Sequence, residues 1–274
     1  MKQKVSKVEY SKAMLPRTRR EQFFDCFRMN YLVILKSGLM LLLFALPLIS
    51  FCLVMDFYYV SLVNHTTEAV EQTMMIFFYF YNLGVFVLFL PIVIGLSGVI
   101  HVLRNFIWEE GIFFFKDFGD GIKENIGKNM LFSVIFGFIY LLSYFVHSVF
   151  AVPIVSYFPL ALFAFIFFPI YLWILFLNNT YSSKFGALLK NGIFFYMKSI
   201  GWSLLIALVG LALVALLFVP FGFVWLKYIF IVLFFVFLLP IIVLIMTLYS
   251  TSKFDEYINK ENYSDYYLKG LNHD

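Results

Sequence analysis

Charge is the scarcest property of this sequence. Asp, Glu, Lys and Arg make up 13% of its 274 residues, while 63% are hydrophobic and 22% aromatic. A soluble domain carries roughly a quarter charged residues, so a water-covered globular enzyme is excluded. From Asn129 to Ser183 there is no Lys, Arg, Asp or Glu at all. A helix needs about 20 apolar residues to cross a bilayer, and that stretch has room for two crossings. Cysteine is scarce too. Cys26 lies in the charged N-terminal segment and Cys52 near the far end of the first apolar run, too far apart for a disulfide if that run spans a membrane, so two free thiols are expected. Carboxylates are missing from the core of every apolar run, and His65, His101, His147 and His273 are scattered singly. That spacing leaves no metal cluster, no His-Glu-x-x-His, no Gly-x-Ser-x-Gly elbow and no aspartyl pair. A Walker A string is also missing. Gly119-Asp120-Gly121 resembles part of an intramembrane protease motif but stands among charged residues. No catalytic residue, cofactor or metal is therefore expected, and the chain is not expected to be an enzyme. The net charge of +4 gathers at the ends of apolar runs, which argues against nucleic acid and for a lipid bilayer as partner.

The charges that are present frame six apolar runs, at about 31–55, 74–103, 129–152, 157–178, 200–222 and 228–250. The expected fold is an all-α membrane protein with six transmembrane helices in three hairpins. Residues 1–30 form an N-terminal segment with a short amphipathic helix, 31–252 the six-span domain and 253–274 a tail. The segment before the first run carries Lys2, Lys4, Lys7, Lys12, Arg17, Arg19, Arg20 and Arg28, whereas the opposite side has only Lys227. This positive-inside bias predicts both termini in the cytoplasm, in a cell (cytoplasmic) membrane. Trp202 and Trp225 bracket the fifth run as interfacial anchors. Lys36 is placed to snorkel, and Asp56 is expected in water at the outer edge.

A unit recurs along the chain. Phe89-Leu90-Pro91-Ile92, Phe167-Phe168-Pro169-Ile170 and Leu238-Leu239-Pro240-Ile241 lie in the second helix of each hairpin. Pro47, Pro153 and Pro220 close the first helices. A proline inside a membrane helix frees a carbonyl that a neighbour must satisfy, so Pro91, Pro169 and Pro240 mark hinges or static bends. Each hairpin is preceded by an amphipathic stretch expected to lie in the interface. The clearest is 105–124, with Ile107, Phe114, Phe118 and Ile122 on one face. Phe23, Phe24, Phe27 and Tyr31 form a shorter stripe before the first run, and Phe185, Leu188, Leu189 and Ile193 another before the fifth.

Inside the spans the polar residues are few, and a buried polar group there is a default pointer to function. Asn82, Ser143 and His147, with Ser97, Tyr144 and Tyr171, are the candidates for a polar path. A histidine hydrogen-bonded to a neighbour is the plainer reading of His147. Gly95 and Gly98 flank Ser97 and would let another helix approach closely.

Pro91, Gly95, Arg104, Asp117-Phe118 and Asn125 stand in an arrangement that resembles the YesL-like family of bacterial membrane proteins. The phenylalanine-rich segment Phe23 to Tyr31 fits as well, and the likeness covers roughly residues 20–135. Lys36-Ser37-Gly38 stands where that family has an Asn-Leu-Leu-Trp-like string. The resemblance implies an accessory or interaction component linked to carbohydrate uptake in a Gram-positive-type bacterium. A sugar ABC transporter or a membrane sensor would be its partner, with Arg104, Asp117, Phe118 and Asn125 as contact candidates. The alternative is a permease or channel that itself moves a small neutral solute along Asn82, Ser143 and His147.

Overall fold

A computed structural model describes residues 15–63, 70–150, 152–218 and 224–272. Lys2, Lys4, Lys7, Lys12, His65, Glu68, Ala151, Pro220 and His273 lie outside the described residues, and so does the loop at 64–69. Among the described residues the fold is helical, without strands. Helix α1 runs Arg19–Val63, α2 Val70–Ile107 and α3 Phe114–Val149. Helix α4, Pro153–Leu162, continues through a π-turn, Phe163–Phe167, into α5, Phe168–Thr180. Next come α6, Phe185–Lys198, and α7, Ile200–Phe218. Helix α8, Val224–Leu233, passes through a second π-turn, Phe234–Leu238, into α9, Leu239–Phe254, and a third π-turn, Asp255–Asn259, leads to α10, Lys260–Asn262.

Among the described residues, five stretches are long and apolar enough to cross a membrane: Asn30–Leu62, Thr73–Ile107, Phe114–Val149, Pro153–Thr180 and Trp225–Asn262. A sixth arises if Phe185–Lys198 and Ile200–Val209, which meet at 97°, count as one broken span. These helices mark a multi-pass membrane protein.

Local chemistry accounts for the breaks. Asn30 leaves helical geometry (φ −158°, ψ 66°) and separates the start of α1 from its apolar run. At the α2–α3 turn Glu109 takes a positive φ of 54°. The Asp117 carboxylate then accepts the Phe113 backbone N–H at 2.8 Å and starts α3. The stretch 105–124 is therefore not a helix of its own. Its first residues end α2, and its last are the opening turns of α3, which runs unbroken to Val149.

Two of the repeated prolines share a device that the third lacks. Pro169 and Pro240 each follow a π-turn in the same register, with the Phe168 N–H reaching Phe163 O and the Leu239 N–H reaching Phe234 O. An α-helical turn would press the proline ring on the carbonyl four residues back, and the wider turn relieves that contact. The freed carbonyls are covered differently. Phe165 O accepts the Tyr196 hydroxyl of α6 at 3.1 Å. Val236 O faces Gly38 of α1, where a Cβ would sit 2.0 Å from the oxygen. Pro91 lies within the α-helical run of α2.

The described ends of the chain meet: the Asn272 N–H donates to Pro16 O at 2.9 Å. Arg19 donates to Asp255 at 2.7 Å, and Asp255 also accepts from Asn259 at 2.8 Å and from the Leu268 N–H at 3.2 Å. Gly270 (φ +79°) presses on Ile107 O, where a Cβ would stand 2.1 Å away. This basic end is a clasp between the first helix, the α2–α3 turn and the last residues of the chain. Residues 253–262 continue the last helix through its third π-turn.

At the other end Asp56 is half-buried and paired, not the freely solvated carboxylate that the sequence suggested. Its carboxylate pairs with Lys227 at 2.7 Å and accepts the Tyr228 hydroxyl at 2.7 Å. Lys227 is 3% exposed, and a buried ammonium needs a partner of this kind. Cys26 and Cys52 are buried free thiols, both on α1.

Candidate functional site

The densest buried polar chemistry lies where α2, α3 and α5 meet. Ser97 donates to Val93 O at 2.9 Å and accepts from the Asn129 amide at 2.7 Å. Asn129 Oδ1 accepts from the Asn178 amide at 2.9 Å, and Asn178 also donates to Asn125 O at 3.2 Å. One turn along, Ser133 donates to Asn129 O at 2.6 Å and so accepts the Tyr171 hydroxyl at 2.7 Å. Glycines make this approach possible. A Cβ on Gly98 would meet Phe118 at 2.6 Å, and one on Gly121 would meet His101 at 2.4 Å. The close packing expected of the Gly95–Gly98 segment thus occurs within the chain. Buried amides left unpaired cost several kcal/mol in an apolar medium, and these three helices supply one another's partners.

A second cluster lies further along α3. Tyr140 donates to Asn82 Oδ1, while the Asn82 amide donates to Phe78 O at 2.8 Å. Ser143 donates to Ile139 O of its own helix at 2.8 Å. His147 Nδ1 lies 2.7 Å from Ser156 Oγ, whose own proton goes to His147 O at 3.0 Å, so the ring nitrogen is the donor. Asn82 thus joins α2 to α3, Ser143 bonds within α3, and His147 is tied instead to α4. Phe136 and Gly137 stand between the two clusters, with a Cβ on Gly137 meeting the Phe86 ring at 2.1 Å. From Ser133 to Tyr140 the helix rises about 10 Å through apolar side chains only. The sequence-selected residues therefore form two satisfied clusters with an apolar layer between them.

Arg104 and its neighbours occupy the basic end. The Arg104 guanidinium donates to Asn179 O and to Asn105 Oδ1, and lies 4.8 Å from the Trp108 ring centroid. Lys269 covers the same ring at 4.6 Å and pairs with Glu110. Phe118 and Asn125 are buried, packed on Gly98 and bonded to Gly121 O respectively, and half-buried Asp117 caps α3. Of the four residues expected as partner contacts, Phe118 and Asn125 are buried, Arg104 is bonded within the chain, and Asp117 is the one whose carboxylate reaches the surface. The aromatic residues that do stand out at this end are Phe24, Phe113 and Phe115, each at least 60% exposed. Burial holds the Arg19 guanidinium below its ordinary pKa despite its Asp255 partner. It also pushes the Cys26 thiol up to about 12, helped by Asp25 and Glu109.

Sequence reasoning passed over Asn129, Asn178, Arg19 and Asp255. Asn129 and Asn178 were visible as amides at the two ends of the charge-free stretch. The Arg19–Asp255 pair spans 236 positions, and composition carries no signal for a pairing at that distance.

One space between the helices is lined almost wholly by apolar side chains. A cavity of about 260 Å³ lies between α2, α5, α7 and the α8–α9 span, walled by Phe89, Leu96, Leu172, Ile206, Phe235 and Met246 among others. No three His, Cys, Asp or Glu side chains converge among the described residues. Comparisons with known protein families, with curated proteins and with solved structures find no match for the chain.

Proposed function

We propose that the chain is a six-span protein of a bacterial cytoplasmic membrane, built as three hairpins with both termini cytoplasmic, and that it acts as an accessory or interaction component rather than as a permease. In this reading α6 and the opening turns of α1 and α3 lie at the cytoplasmic interface. The observation that supports it is the division of the interior. Polar side chains between α2, α3 and α5 are paired in two separate clusters, Phe136 and Phe86 lie between them, and the cavity between α2, α5, α7 and the α8–α9 span is apolar. Among the described residues a hydrophilic solute finds no continuous set of partners to exchange for its water. The exposed Phe24, Phe113 and Phe115 beside the Arg19–Asp255 clasp offer a surface for a partner. The resemblance to the YesL-like family directs the search for that partner toward sugar uptake systems.

Two measurements test the reading. Liposomes holding the purified protein should show no more uptake of labelled mono- and disaccharides than empty ones. The tagged chain, extracted in mild detergent, should bring down a sugar-transport subunit, and Phe113→Ser with Phe115→Ser should release it. Saccharide flux that falls in Asn82→Leu and His147→Phe variants would establish the permease instead.

A further inference from the structure

At the bend between α6 and α7 two polar side chains are buried with nothing to bind. Ser199 is 6% exposed and its Oγ has no hydrogen-bond partner, and the Trp202 indole N–H is likewise buried and unpaired. The Ser199 backbone is satisfied by Phe195 O and Ser203 N, so only its hydroxyl is spare. Buried donors without acceptors are rare. Three residues apart at the α6–α7 bend, they point to an oxygen-bearing ligand.

Lys198 directly precedes Ser199, and Lys253 lies four residues after the Tyr249 on which Trp202 packs. Lys198 Nζ lies 5.6 Å and Lys253 Nζ 5.8 Å from the ring centroid of the same residue, Tyr257. Glu256 pairs with Lys253 at 2.6 Å, which leaves one positive charge in excess. Beyond this polar rim the facing helices turn apolar. Trp202 packs on Tyr249 with ring centroids 4.8 Å apart. One turn further, Ile206 and Val209 of α7 and Met246, Ile242 and Leu239 of α9 line the 260 Å³ cavity. From Tyr249 back to Leu239 is about 15 Å of helix, half the ~30 Å hydrocarbon core of a bilayer.

We propose that this crevice binds an anionic glycerophospholipid. Its phosphate and ester oxygens accept from Ser199 and Trp202 beside Lys198 and Lys253, and one acyl chain fills the cavity between α7 and α9. The surplus charge, the spare donors and the apolar depth follow one another along α7 and α9, from Lys198, Ser199 and Lys253 through Trp202 packed on Tyr249 to Ile206 and Met246 in the cavity wall, in the order that a lipid presents its groups. This inference requires the helices to lie in a membrane, but neither a partner protein nor the absence of solute transport.

The test titrates dioleoyl phosphatidylglycerol into the full-length protein in a nonionic detergent and reads bound lipid by native mass spectrometry and stability by Tm. Saturable binding of one lipid with a rise in Tm is expected, with dioleoyl phosphatidylcholine at least 5-fold weaker. Lys198→Gln with Lys253→Gln should remove that headgroup preference. Ile206→Trp should fill the cavity and abolish binding of both lipids, with unchanged helical circular dichroism. Free glycerol 3-phosphate should not compete; if it does so at equal concentration, the site is one for a soluble phosphate and the lipid assignment fails. No saturable binding to the unaltered protein overturns the proposal outright, as does equal binding by the unaltered protein and a folded Ile206→Trp variant.

Discussion

The π-turns before Pro169 and Pro240 have the same length and register, yet different neighbours complete them. At Pro169 a side chain does so: the Tyr196 hydroxyl reaches the carbonyl of Phe165. At Pro240 the backbone itself closes in, because Gly38 brings α1 against Val236 O with no room for a Cβ. The first arrangement joins α6 to the span just before it in sequence. The second joins the first span to the last. A hydroxyl at the end of a long side chain tolerates small shifts of its helix, whereas a backbone contact at glycine fixes the distance between helices. The two sites should therefore differ sharply in sensitivity to a single substitution.

The sharpest break is Gly38→Val. The added atoms would meet backbone on the last span, and no rotamer change on the partner can clear them. Overpacking ordinarily costs about 1–3 kcal/mol, and a clash with backbone exceeds that. A loss of about 5 kcal/mol, seen as failure to accumulate or as a collapse of Tm in detergent, is expected. A Gly38→Val protein with unaltered Tm would show that α1 does not lie against the last span.

Asp255→Ala opens the same pair of spans at the basic end and should cost less. It strips Arg19 of its carboxylate, and leaving a buried charge unpaired costs about 3 kcal/mol or more. Here the guanidinium also keeps the Lys269 carbonyl at 3.0 Å and the Gln22 side chain at 2.8 Å, which soften the loss. Replacing both partners, Arg19→Met with Asp255→Leu, should restore most of the stability, because the desolvation of the pair then disappears as well. A double variant no more stable than the single one would mean that the pair holds shape through the Asn259 and Leu268 contacts.

Tyr196→Phe is the matching change at the other π-turn and the mildest of the structural ones. It leaves Phe165 O without its hydroxyl donor, a loss of about 1–2 kcal/mol. Tm should fall by less than half the drop in Gly38→Val. Equal falls would erase the distinction between a side-chain and a backbone closure.

The contrast also marks how far the sequence could be read. Apolar runs bounded by Lys36, Arg104, Lys184 and Lys253 show where helices cross, because burying charge in hydrocarbon is costly. Pro91, Pro169 and Pro240 are visible as a repeat for the same local reason: proline acts on its own helix. The π-turns escaped because only two of the three prolines have them, and the difference is set by what packs alongside. Arg19 with Asp255, Asp56 with Lys227, and Asn129 with Ser97 and Asn178 escaped for a related reason. Each residue type is legible alone, but its partner lies on another helix. The stretch 105–124 had the pattern of an independent amphipathic helix. Its division at Glu109 depends on a left-handed turn that hydrophobic spacing does not encode.

The last prediction uses Cys26 to report which π-turn governs the clasp of α1. The thiol is 5% exposed, and its pKa of about 12 lies far above the ordinary value near 8.5. In the folded protein it is therefore both hidden and protonated at pH 8, and maleimide should react only through local opening. Between about pH 8.5 and pH 12 the unfolded chain holds fewer protons at this site than the folded one. Its contribution to stability is thus full below pH 8.5 and falls as pH rises across that window. In a Cys52→Ala background, labelling at pH 8 should be at least 10-fold slower than in denaturant. Gly38→Ala, which loosens α1 against the last span, should speed it severalfold. Tyr196→Phe acts on α6 and should leave the rate within twofold, although it lowers Tm. A Tyr196→Phe protein that labels as fast as Gly38→Ala would show that the two π-turns open together, and that the first and last spans belong to the same cooperative unit as α6.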